Sequence, residues 1–135
     1  MSSIIFRFFG LSLSYMGWAN FCDEMLELDI KKLERVSEAI PFDKITTEGN
    51  EIYDRLLWEY DSLGGGAGLS APQIGIYKRV FLWTKDRKRE TLRVAINPKI
   101  FYKDLSDALT SIEGCYSVPE RVYEIERFKD LEMEF

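Results

Sequence analysis

Apolar residues recur at near-helical spacing over residues 26–40, "LELDIKKLERVSEAI", where Leu26, Ile30, Leu33, Val36 and Ile40 share a face and Pro41 closes the run. The spacing predicts a short amphipathic helix. A second run over residues 51–63, "EIYDRLLWEYDSL", sets Ile52, Leu56, Tyr60 and Leu63 on one face. Its acidic residues sit in the first turn, where the helix dipole favours them, and Gly64 stands just past its end. The period then changes. "RVFLW", "LRVAINP", "RVYEIERF" and "LEMEF" are rich in β-branched and aromatic residues, and the last two alternate with charge as half-exposed strands do. Helices followed by antiparallel strands predict an α+β domain. No internal repeat or low-complexity linker interrupts the pattern.

The first 24 residues behave differently. No charge lies between Phe8 and Cys22, Arg7 precedes the run, and Gly17-Trp18-Ala19 has the small-x-small form of a signal-peptide cleavage site. The run is too short to span a bilayer comfortably, and serines, Gly10 and Asn20 dilute it. The reading is an apolar extension over residues 1–24 upstream of a domain over 25–135, with an added surface element or a targeting segment as alternatives.

Composition narrows the class. A chain of 135 residues that is 46% hydrophobic suits one compact domain, burying roughly two thirds of the surface its unfolded form exposes. The net charge of −5 offers no global field for phosphates, so no direct nucleic-acid binding is expected. The one basic stretch, "KDRKRETLR" at 85–93, reads as a solvated hairpin turn. Cys22 and Cys115 lie far apart without C-x-x-C spacing, which suggests neither a disulfide framework nor a zinc ribbon. A reducing, cytoplasmic setting without a membrane partner is expected.

Two stretches carry chemistry. "LGGGAGLSAPQIG" at 63–75 satisfies the dinucleotide pattern G-x-G-x-x-A, but a helix rather than a strand precedes the glycines and no βαβ unit surrounds them. It lacks the Lys-[Ser/Thr] of a P-loop as well. "SIEGCYSVPE" at 111–120 places Cys115 in a loop-like stretch just before a strand-like segment. A thiol so placed is usually a nucleophile or a metal ligand, and both roles normally use histidine; taken alone, Cys115 reads equally as a small buried hydrophobe. The chain has none. A cysteine-nucleophile hydrolase therefore fails for want of a base.

"GAGLSAPQIG", then "INP", then "EGCYSVPE" resemble, in order and spacing, the first two signature motifs of the peptide deformylases, G-x-G-L-A-A-P-Q and E-G-C-L-S. The resemblance runs from about Met25 to Phe135. Ser70 stands where alanine is usual and Tyr116 where leucine is frequent. The third motif, H-E-x-x-H, is absent, and the resemblance implies that codons beyond Phe135 encode it.

The resemblance implies the following roles. Cys115 is the thiolate ligand of a divalent metal, Fe2+ foremost with Ni2+, Co2+ or Zn2+ as substitutes, and two histidines complete the set. The side-chain amide of Gln73 and the backbone N–H of Tyr116 stabilise the oxyanion formed when a formyl amide is attacked. Gly68 lets the backbone approach the substrate, Tyr116 borders the methionine pocket, Arg127 lies near the peptide groove, and Glu113 has a local structural role. The substrates are N-formylmethionyl nascent peptides, met near the ribosome exit. With one of three ligands, the chain alone is expected to be inactive; a deformylase-like peptide-binding module and an unrelated α+β protein are the alternatives.

Overall fold

The computed structural model describes residues 3–4, 26–102, 108–128 and 131–135. The expected α+β arrangement is present. Helix α1 (Ile30–Leu33) and helix α2 (Asn50–Ser62) precede most of the strands. These are β1 (Ser3–Ile4), β2 (Gly68–Ser70), β3 (Val80–Trp83), β4 (Arg93–Ile96), β5 (Lys99–Tyr102), β6 (Ala108–Cys115), β7 (Val118–Phe128) and β8 (Leu131–Glu134). They form a β2-β3-β4 sheet, a β1-β8-β5 sheet and a β6-β7 hairpin, with every strand pair antiparallel.

Helix α2 buries the face its spacing predicts. Ile52, Leu56, Tyr60 and Leu63 pack with Leu69, Val80 and Leu82 of the β2-β3-β4 sheet. Each large side chain so buried contributes about 1.5–3 kcal/mol relative to exposure. Alternation along β3 sends Phe81 and Trp83 to the opposite face, where they meet Ala95 and Met133 of β8. The central sheet therefore has α2 on one side and the second sheet on the other.

The helix expected over 26–40 is largely absent. Asp29 caps α1 by accepting from the Lys31 N–H at 3.0 Å, and the helix ends after Leu33. Its apolar positions share no buried face, because Ile30 and Val36 are exposed while Leu26 and Ile40 enter the core separately. Beyond it the chain runs beside residues 77–79: the Glu38 N–H donates to the Tyr77 carbonyl at 3.0 Å, and the Arg79 N–H donates to the Glu38 carbonyl at 2.9 Å. Ile40 is then clamped by Asn97, whose Oδ1 accepts from the Ile40 N–H at 2.7 Å and whose Nδ2 donates to its carbonyl at 2.8 Å. Asn97 sits at φ 53°, a left-handed conformation that asparagine tolerates better than most residues.

The basic stretch forms the connection between β3 and β4, as its composition suggested. Arg89 donates from Nε to Asp61 Oδ1 at 2.9 Å and ties that connection to the end of α2. Of residues 1–24, only Ser3 and Ile4 are described, pairing with Glu132 and Leu131 of β8; the remainder of the expected extension lies outside the described residues. Among the described residues no helix is long and apolar enough to cross a membrane.

Candidate active site

Gln73 lies in the short 3-10 turn Ala71–Ile74 that follows β2. Pro72 presets the backbone near the start of that turn and Gly75, at φ 78°, terminates it. The Gln73 side chain is oriented by an unambiguous donor: the Ser70 N–H donates to Oε1 at 2.9 Å, so the oxygen must face Ser70. The Ser70 hydroxyl donates to the same oxygen at 3.0 Å. The amide nitrogen is thereby turned the other way, and Nε2 lies 3.5 Å from Cys115 Sγ. Gln73 and Cys115 are 42 residues apart in sequence and adjacent in space.

Cys115 ends a strand rather than occupying a loop, which corrects the expectation for "SIEGCYSVPE". The strand was obscured because its neighbours are glycine and a polar run. Cys115 pairs with Val118 while the preceding Gly114 pairs with Val122, so the hairpin is irregular at the cysteine. The surplus residues 119–121 include Glu120 at φ 63°. Such irregularities re-aim side chains at strand ends. The thiol is free and exposed.

Tyr116 and Ser117 form the turn after Cys115. The Tyr116 hydroxyl donates to the Gly65 carbonyl, and its ring packs partly buried against the core beneath α2. The residue expected to border a methionine pocket thus sends its phenol to the glycine loop. Gly68 has a plain reason within the fold, since a Cβ there would collide with the Leu82 carbonyl of the neighbouring strand. No substrate is needed to explain that glycine.

Glu113 and Arg127 belong together. Arg127 donates from Nε to Glu113 Oε1 at 3.1 Å and from Nη2 to Oε2 at 2.8 Å, and the Ser111 hydroxyl donates to Oε1 at 2.6 Å. The Arg127 guanidinium holds the Glu113 carboxyl below its ordinary range, and Glu113 raises Arg127 in turn. The pair joins β6 to β7, two residues along β6 from Cys115. It gives Arg127 a partner on the hairpin.

The residues brought together are therefore Gln73, Cys115 and Tyr116, with Ser70 holding Gln73 and the Glu113–Arg127 pair farther along the hairpin. Sequence patterns did not single out the contacts of Ser70, Tyr60, Ser111 or Asn97. The capping-box spacing Ser70-x-x-Gln73 was the available signal for the first of these. A metal held by this chain alone does not fit the donor set: the sequence has no histidine, and no group of three or more Cys, Asp or Glu among the described residues could hold an ion. Cys115 is one donor, too few for a protein-held catalytic ion.

The family model for polypeptide deformylase matches residues 22–135. The chain belongs to the polypeptide deformylase family. It is 35% identical over 113 residues to the peptide deformylase of Pseudothermotoga lettingae, with 84% of this chain and 57% of that protein covered. It is 36% identical over 121 residues to the peptide deformylase of Afipia carboxidovorans, with 82% and 68% covered. The chain therefore spans about three fifths of the length of these deformylases. A probable peptide deformylase from Synechococcus phage S-SSM7 has a similar fold, with a TM-score of 0.66 and 32% identity, covering 81% of this chain and 72% of that one.

Proposed function

We propose that this chain carries the thiolate and oxyanion-donor half of a peptide deformylase site, serving removal of the formyl group from N-formylmethionyl nascent peptides. The observation that carries the reading is the 3.5 Å approach of Gln73 Nε2 to Cys115 Sγ, which joins the two matched motifs at one place. A primary amide has two N–H donors. One is directed at the sulfur, and the other remains for an oxygen that gains negative charge beside it. Such a donor, fixed beforehand by Ser70, stabilises the oxyanion without reorganising during reaction. The backbone N–H of Tyr116, next in sequence to the thiol, is the proposed second donor.

The family's chemistry uses a divalent ion, Fe2+ foremost, with Ni2+, Co2+ or Zn2+ as substitutes, and this chain supplies Cys115 toward it. By itself the 135-residue chain is inactive, because one thiolate does not replace a three-ligand set. Residues 25–135 form the working domain, the setting is cytoplasmic and near the ribosome exit, and neither nucleic acid nor membrane is a direct partner. The test is formate release from a formyl-Met peptide, by the purified chain and by the chain extended with an H-E-x-x-H helix, each with added Fe2+, Ni2+ or Co2+. Release by the extended form alone is expected. Turnover by the unextended chain above a metal-only control contradicts its inactivity. Peptide binding without formate release by the extended form replaces the enzyme reading with a binding module.

A further inference from the structure

Three consecutive glycines, Gly64, Gly65 and Gly66, join α2 to β2, all with positive φ (80°, 87° and 145°). Two tyrosines hold this loop. The Tyr60 hydroxyl donates to the Gly66 carbonyl at 2.8 Å and accepts from the Gly66 N–H at 3.2 Å. Burial pushes the Tyr60 phenol above its ordinary range, which keeps the proton that the first of these bonds needs. The Tyr116 hydroxyl donates to Gly65 from the other side. A Cβ on Gly66 would lie 2.9 Å from the Tyr116 oxygen, so the glycine and the tyrosine fit each other.

These contacts close a ring. Gly65 and Gly66 run into β2, β2 ends at Ser70, Ser70 holds Gln73, Gln73 reaches Cys115, and Cys115 is bonded to Tyr116, whose hydroxyl returns to Gly65. We propose that Tyr116 is a positioning residue: its hydroxyl ties the turn bearing Cys115 to the glycine loop and so sets the distance between Cys115 Sγ and Gln73 Nε2. The inference rests on the deformylase reading for its purpose, since that reading gives Gln73 and Cys115 a shared task. The position where this chain departs from the leucine frequent in the family thus gains a hydroxyl that leucine cannot supply.

Tyr116→Phe removes that hydroxyl and keeps the ring. In a Cys22→Ser background, NMR of the chain follows the Gln73 side-chain amide, identified by its loss in Gln73→Ala, together with the Gly65 and Gly66 amides. The Gln73 resonances are expected to move toward their positions in Cys115→Ala, and exchange at the glycines to rise about 3- to 10-fold, as loss of one ordinary hydrogen bond gives. Faster glycine exchange with the Gln73 resonances unmoved overturns the proposal, because the hydroxyl then only braces the loop. Should Tyr116→Phe fail to fold, hydrogen exchange in the parent at the Cys115 and Val118 amides, which pair across the turn, and at Gly66, across urea below the unfolding transition, decides it. A shared opening equilibrium supports the tether, and separate openings overturn it. Neither assay uses metal or formylated peptide, so a failed tether leaves the deformylase reading standing and a failed deformylation leaves the tether standing.

Discussion

Ser70 donates twice to a single atom of Gln73: its N–H and its hydroxyl both reach Oε1, at 2.9 and 3.0 Å. The backbone bond sets which way the amide faces, and the hydroxyl narrows its freedom. Ser70→Ala, the residue usual in the family, removes only the second. In the chain extended with an H-E-x-x-H helix, this change is expected to lower kcat about 3- to 10-fold, the equivalent of one ordinary hydrogen bond, with KM nearly unchanged. An unchanged kcat would mean that the backbone bond alone orients Gln73.

The Glu113–Arg127 pair should make stability fall in acid. A carboxylate whose pKa is depressed by folding contributes fully above its unfolded value, about 4.3, and loses that contribution as the pH falls through the lower folded value. Glu113 has this sign, chiefly through the Arg127 hydrogen bonds. Urea unfolding of the parent should therefore lose stability below about pH 4.3 more steeply than Glu113→Gln does. Arg127→Ala at pH 7 is expected to cost about 1–2 kcal/mol, at the lower end for a charged hydrogen bond because the guanidinium is half exposed. Identical acid profiles for the parent and Glu113→Gln would show that the pair is not coupled to folding.

Asn97 pairs with both backbone groups of Ile40 from a left-handed conformation. Asn97→Ala should cost about 1–3 kcal/mol and speed exchange of the Ile40 amide. Asn97→Gly relieves the backbone conformation but leaves Ile40 equally unpaired. Full stability in the glycine variant would assign the role of Asn97 to its φ angle instead of its side chain.

The parts of the fold written in residue periodicity were legible from sequence. Helix α2 buries Ile52, Leu56, Tyr60 and Leu63 as their spacing requires, and β3 and β4 follow from runs of β-branched and aromatic residues. Short elements held by tertiary bonds were not. Residues 26–40 have helical spacing, yet Glu38 pairs with the segment near Lys78 and Ile40 with Asn97, so distant partners override local preference. β2 hides behind glycines, and Gly68 is explained only once the Leu82 carbonyl is beside it. Motif matching named Gln73, Cys115, Tyr116 and Glu113 but gave no means of seeing that Ser70 holds Gln73, that Tyr116 reaches Gly65, or that Glu113 and Arg127 form a pair. The first contact had only its capping-box spacing as a signal, and the other two join residues whose relationship appears only in three dimensions.

The division of labour between Gln73 and Cys115 is tested most directly by measuring metal content and formate release together on the two alanine variants of the extended chain. Cys115→Ala is expected to lose metal and activity together, because it removes a ligand. Gln73→Ala is expected to retain metal at the parent's stoichiometry while kcat falls about 10²- to 10³-fold, the usual effect of removing an oxyanion donor. Equal metal loss in both variants, or near-parental turnover in Gln73→Ala, would contradict the assignment of ligand to Cys115 and oxyanion donor to Gln73.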